Sequence, residues 1–277
     1  MTQTALKKGW IYTGVLLTAV IAAVFFLFPC DRLATYITSS LTESSRNAVF
    51  TCNGSRLHFP PGLVLNQFRV DFKHRQGARI DADSLALQPR LLDLIRGRLS
   101  MLINADAYGG NMGGDIAFIR YFTAQGPLRA KLNFSEIDLQ RCSYLSTIFG
   151  MPLKGRFKGT FDYTGDSNEL LKGTGQAHFT IREGHFQTAG STAGILNAFS
   201  FDSMEAEIAL EEGKLKIGKL LLGGKNVQSI LKGYVFLRED LGASEISLSG
   251  KMELPAPLTK LDFTVTGTVS RPIITVM

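Results

Sequence analysis

Four histidines, at positions 58, 74, 178 and 185, are the first residues to test for chemistry. None belongs to an HExxH or HxH pair, the spacings that place two imidazoles on one metal. His178 and His185 flank FTIREGHFQ (179–187), which reads as a hairpin turning on Glu-Gly, so the two rings are in reach of each other across it. On a strand pair, two such polar residues read more simply as part of a solvated face. Paired carboxylates occur at Asp81/Asp83, Glu205/Glu207, Glu211/Glu212 and Glu239/Asp240. The first two pairs have strand spacing, which puts both carboxylates on one face. That face alternates with apolar residues and is expected to be wet. GTGQAH (173–178) lacks the third glycine of a dinucleotide fingerprint and runs into a strand pattern. GGNMGG (109–114) lacks the Lys-Ser/Thr of a P-loop. Both read as turns or bulges. With no G-x-S-x-G elbow either, the chain is expected not to be an enzyme, and no cofactor or metal is expected.

The elements that carry these residues are mostly strands. Phe68, Val70 and Phe72 alternate with polar residues, as do 82–87, 178–181, 207–210, 214–217, 245–248 and 261–266. Period two over such stretches marks strands with one buried face. Glycine-containing turns at short intervals predict antiparallel hairpins, ALEEGKLKI (209–217) among them. The pattern apolar-x-Gly-x-apolar recurs as FKGTF, LKGYV, LSGKM and VTGTV. Gly233, Gly250 and Gly267 are evenly spaced and are expected at equivalent places in a meander. AYGGNMGGDIAF (107–118) and LLGGKNVQSILKGYVF (221–236) echo one another, as two related β modules would.

The start of the chain is different. Trp10 to Phe28 carries no charge and is just long enough, at ~1.5 Å per residue, to span a bilayer core. Trp10 and Tyr12 at one end and Phe25, Phe26 and Phe28 at the other are the expected anchor residues, because aromatic rings favour the interface. Lys7 and Lys8 precede the run, so the positive-inside rule leaves residues 1–9 as a cytoplasmic tail and exports everything after the span. The run is longer than a signal h-region, and no small-x-small cleavage site follows. The expected layout is therefore tail 1–9, transmembrane helix 10–28, amphipathic connector 29–49 and exported β domain 50–277. In the connector, Leu33, Ile37 and Leu41 recur every four residues, as a helix over 31–48 requires.

A net charge of +6, spread along the chain, suits anionic surfaces but points to no nucleic acid. Cys52 and Cys142 would both be exported and could form a disulfide, although two unpaired thiols fit equally well. Helices are expected at 137–148 and 191–198 and within LQPRLLDLIRGRLS (87–100). The last is basic and apolar at once. Its expected place is a cap at one end of the sheet or the lining of a groove, with Leu91, Leu92, Leu94 and Ile95 facing the sheet and the arginines outside.

Taken together, several segments resemble a known family. SLALQPRLLDLIRGRL (84–99) resembles the strand–Pro–helix–GRL unit of AsmA-like proteins. GMPLKGRFKGTFDYTG (150–165) is similar to their G-x-P-L-x-G unit, and EGKLKIGKLLLGG (212–224) to their recurring hairpin. The short length and the ending FTVTGTVSRPIITV (263–276) resemble the type II secretion system protein N family. The resemblance implies a mainly β fold, an elongated, curved antiparallel sheet behind an N-terminal transmembrane helix. It implies a single-pass bacterial inner-membrane protein with a periplasmic domain, acting as an accessory component of a type II secretion system.

Two functions are then expected to compete. One is assembly or partner binding, with other secretion-system proteins as partners and open strand edges as the contact. The other is lipid binding or transfer in an apolar β groove, with membrane lipids as partners. No small-molecule substrate is implied. The alternation alone does not separate a groove from a closed core.

Overall fold

The structure is a computed structural model that describes residues 16, 30–45, 47–58, 62–73, 77–121, 126–187, 198–224, 228–254 and 259–276. The expected transmembrane span apart from Leu16, its five aromatic anchor residues, His74 and the helix expected at 191–198 apart from Ala198 lie outside the described residues. Among the described residues, no helix is long and apolar enough to cross a membrane.

One helix leads into one sheet. Helix α1 (Cys30–Ser44) matches the connector read from its four-residue spacing. Ala34, Leu33 and Ile37 pack on Leu63 and Leu65. Fifteen strands then form a single open antiparallel sheet. They are β1 (Ala48–Thr51), β2 (Gly54–His58), β3 (Gly62–Phe72), β4 (Arg79–Pro89) and β5 (Arg98–Ala107). After these come β6 (Gly110–Tyr121), β7 (Pro127–Asp138), β8 (Leu153–Asp166), β9 (Thr174–Gln187) and β10 (Ala198–Glu211). The last five are β11 (Lys214–Gly223), β12 (Gln228–Phe236), β13 (Glu245–Leu254), β14 (Thr259–Thr268) and β15 (Arg271–Val276). From β3 onward each strand pairs with the next in sequence, while β1 and β2 both pair with β3. The sheet is continuous across the two echoing segments and does not divide into two modules.

Local chemistry sets the connections. Tyr108-Gly109 and Glu212-Gly213 take positive φ at both positions, the requirement of a tight primed hairpin turn. The second is the hairpin read from ALEEGKLKI. The Glu-Gly of FTIREGHFQ behaves otherwise. Residues 179–187 stay in one strand, and Glu183 (φ 52°) makes a bulge there. The same dipeptide serves both purposes, because in each the glutamate takes a positive φ, followed by a second positive φ at Gly213 in the hairpin but not at Gly184 in the bulge. His178 and His185 therefore lie along one strand and do not meet across a turn.

That bulge has neighbours. β7 shifts register between Phe134 and Ile137, with Glu136 at φ 54°. β8 shifts between Lys154 and Arg156, on either side of Gly155. The β8 shift is the Glu183 bulge seen from its partner strand, so two bulges, in β7 and β9, flank β8. A row of bulges bends a sheet across its strands. On the inside of this bend lie Leu153, Ile181, Met204 and Leu222, with Leu139 between β7 and β8.

The helix expected over 137–148 begins later than its periodicity predicts. Ile137 and Asp138 still belong to β7, a 3-10 turn follows, and helix α3 is Ser143–Phe149. Leu145 and Phe149 pack over the bend. The remaining helix, α2 (Leu91–Ile95), connects β4 to β5.

Candidate functional site

The two faces of the sheet differ sharply. From β7 to β11 the register aligns Leu132, Phe161, Ala177, Ile208 and Ile217 as one row. One residue further along, Lys131, Asp162, Gln176 and Ala209 form a row on the opposite face. Alternation thus yields one apolar and one polar face over these strands, while Ile230, Tyr234 and Phe236 on β12 and Ile273 on β15 are exposed on the opposite face. Three aromatic rings cross the apolar face: Phe134 lies 5.6 Å from Phe157, which lies 5.7 Å from Phe179. They come from three strands, so no spacing within the sequence marks them as a group.

Among the described residues no second sheet packs on the apolar face, and what covers it is local. α3 and the 3-10 turn close the bend at one end. Leu128, Ala130, Tyr163 and Leu210 form a second packed stripe toward the other end, where the Tyr163 hydroxyl donates to the Leu170 carbonyl at 2.7 Å. Beyond these, Leu231, Ile246, Leu248, Leu261 and Val265 share the same face and are half-buried, around buried Val235 and Phe263. Met101, Ile103, Met112 and Ile116 are likewise half-buried on β5 and β6. An apolar face left half-wet along both flanks is a shallow gutter.

Glycines shape the gutter. A Cβ on Gly233 would run into the Ser247 carbonyl, and one on Gly250 would come 2.7 Å from the Ile230 carbonyl. Side chains are excluded there because neighbouring strands press close on the inner face. The regular spacing of Gly233, Gly250 and Gly267 does not place them at one level. Gly250 faces Leu231, while Gly233 faces Leu248. Thr268, next to Gly267, faces Glu245, so the evenly spaced glycines shift one way and then the other along the strands.

The polar face holds two cavities, of about 370 and 420 Å3. Arg156, Lys158, Arg182 and Lys219 line the first together with Glu136, Glu205 and Glu207. His178 is also there, opposite Glu207. Opposite charges interleave, so the surface offers no single-sign field for an ionic ligand. His185 shares a 2.9 Å hydrogen bond with the Ser200 hydroxyl. Among the described residues no group of three His, Cys, Asp or Glu could hold a metal ion.

The Asp81 carboxylate is engaged on both sides, accepting from Arg69 Nε at 2.8 Å and lying 2.9 Å from Arg79 Nε. Its hydrogen bond and charge raise the Arg69 guanidinium pKa above its ordinary value. The Asp81 backbone N–H donates to the Tyr108 hydroxyl at 2.8 Å. Burial, the largest cause, raises the Tyr108 pKa well above the ordinary phenol value. Cys142 is buried beside Tyr108. Cys52 is half-buried in the cluster beneath α1. Cys52 and Cys142 are both free thiols, not joined in a disulfide.

Helix α2 departs from expectation. Leu91, Leu92 and Ile95 are 49%, 71% and 83% exposed, and no residue of the helix is buried. Only Leu94 is partly covered. One turn and a half is too short to turn a full stripe toward the sheet, and Pro89 and Gly97 (φ 76°) fix it as a tip between β4 and β5. Arg90, Arg96 and Arg98 are exposed around it. The three aliphatics thus face outward together with the arginines.

Comparison of the chain with family models, curated proteins and solved structures finds no match.

Proposed function

We propose that this protein is a membrane-anchored lipid-binding gutter, its acyl-chain site being the half-covered apolar face of the sheet. The observation that carries the reading is that face: aliphatic and aromatic side chains in register across β5–β15, with no second sheet upon them among the described residues and many of them half-exposed. Each methylene moved from water onto such a face gains ~0.8 kcal/mol, so a single acyl chain needs no polar motif to be held. The charge-free run at 10–28 would tether the domain to a bilayer, in a bacterial envelope the inner membrane with the domain periplasmic. The AsmA-like resemblance agrees with both parts.

Lipid carried by the full-length chain tests this. Leu248 and Val265 face each other on β13 and β14. After purification and washing in amphipol, wild type is expected to keep bound phospholipid. A Leu248→Glu/Val265→Glu variant with unchanged circular dichroism is expected to lose most of it. Equal lipid in both would refute the reading.

A second reading rests on the edge strand. β15 pairs only with β14, and Ile273 is exposed upon it. Such an edge can accept a strand from a partner, and the resemblance to type II secretion system protein N names the class: another secretion-system protein. A crosslinker placed at Ile273 that captures no envelope protein in cells would count against it.

A further inference from the structure

We infer that α2 is a membrane-docking tip, seating Leu91, Leu92 and Ile95 in the headgroup–acyl boundary of an anionic bilayer. The inference rests on the anchored reading above and adds where the gutter meets the membrane.

Two independent observations converge. The first is the chemistry of the tip. Three exposed aliphatics on a turn and a half of helix would be a liability in water, and three exposed arginines ring them. Aliphatics for the acyl boundary and guanidinium groups for phosphates are what an interfacial lipid contact needs. Arg90 retains a long ion pair with Asp115, at 3.8 Å, while Arg96 and Arg98 flank the helix C-terminus. Exposed Leu170 and Lys172 share this end of the sheet, in the turn between β8 and β9.

The second is the path of the chain. α1 starts beside the level of Leu65, where Ser55 Oγ donates to Asp31 at 3.1 Å. It ends at the level of Val70, where the Phe50 N–H donates to Thr42 Oγ1 at 3.0 Å. The helix therefore runs away from the α2 end, and the chain comes into the domain from that side. Leu65 pairs with Leu85. The four residues from Leu85 to Pro89 span ~13 Å, so α2 projects that far beyond the start of α1. Only Pro29 separates Cys30 from the charge-free run. A bilayer entered there meets α2.

Docking would also put Leu87, Leu99 and Phe118, on the apolar face near this end, next to the acyl boundary. Lipid could then pass between membrane and gutter without crossing water.

The test uses the full chain with Trp10, the single tryptophan, changed to Phe. Leu92→Trp is compared with Ile230→Trp, an exposed position near the start of β12, at the opposite end of the sheet from α2. Both are reconstituted in vesicles of phosphatidylethanolamine and phosphatidylglycerol, the latter brominated on its acyl chains. Quenching of Leu92→Trp is expected to exceed that of Ile230→Trp at least about twofold, and to fall when Arg90, Arg96 and Arg98 become Gln. Equal quenching overturns the inference, as does blue-shifted emission without bromine quenching, the mark of a protein partner. Alkaline carbonate extraction reads the anchor separately. A chain retained in the vesicles with Leu92→Trp unquenched has its anchor but no docked tip, whereas a released chain overturns the anchored reading itself.

Discussion

The ring of Phe72, the last residue of β3, stacks on the ring of Tyr144 in α3 with centroids 4.6 Å apart. At the other end of α3, a Cβ on Gly150 would come 2.9 Å from the Ser270 carbonyl, in the turn between β14 and β15. One seven-residue helix thus ties the third strand to the last hairpin. The twist of the sheet brings these distant strands to it. A double-mutant cycle on Phe72→Leu and Tyr144→Leu is expected to give a coupling of about 0.5–1.5 kcal/mol in urea unfolding. Additive effects would mean that the stack does not hold the curl.

Adjacent glycines make an internal comparison. A Cβ on Gly114 would run into the Lys131 carbonyl, whereas one on Gly113 meets only side-chain oxygens at 3.8 and 3.9 Å. Gly114→Ala is expected to destabilise by about 2 kcal/mol or more through overpacking. Gly113→Ala is expected to be neutral or to stabilise by up to about 1 kcal/mol, since it restricts the unfolded chain. Thermal melts of the two variants check the ordering.

Cys52, in the cluster beneath α1, and Cys142, beside Tyr108, are free thiols. A native disulfide would contribute about 2–4 kcal/mol. Adding reductant is therefore expected to leave the unfolding midpoint unchanged. Maleimide should label Cys52 faster than buried Cys142, read by mass spectrometry of the folded chain.

Tyr108 gives the fold an alkaline limit. Its folded pKa is raised by burial above the unfolded value of about 10. Its contribution is then whole below that pH and is lost as pH rises toward the folded pKa, because only the unfolded phenol releases its proton. Stability should fall above pH ~10, by up to about 1.4 kcal/mol per pH unit for this group. Tyr108→Phe should flatten that fall; Tyr163, also raised by burial, keeps some of it. The same variant removes the acceptor of the Asp81 N–H and should cost about 1 kcal/mol at neutral pH.

The strands were legible because alternation is a property of each segment by itself. Lys214-Leu-Lys-Ile217 and Glu245-Ile-Ser-Leu248 lie in β11 and β13, and the four-residue spacing of Leu33, Ile37 and Leu41 marked α1. What escaped the sequence depends on neighbours. Glu183-Gly184 makes a bulge where Glu212-Gly213 makes a hairpin, and only the strands on either side decide which. The Phe134–Phe157–Phe179 row joins three strands. The outward turn of Leu92 and Ile95 reflects a helix too short to choose a face.

The gutter is tested most directly by adjacent residues on its two faces. Leu248 lies on the apolar face and Ser249, the next residue, on the polar one. With p-benzoylphenylalanine at either position of the full chain, in membranes carrying labelled phospholipid, irradiation is expected to give a lipid adduct at 248 and little at 249. Equal adducts at both positions, or none at 248, would contradict a lipid-holding face.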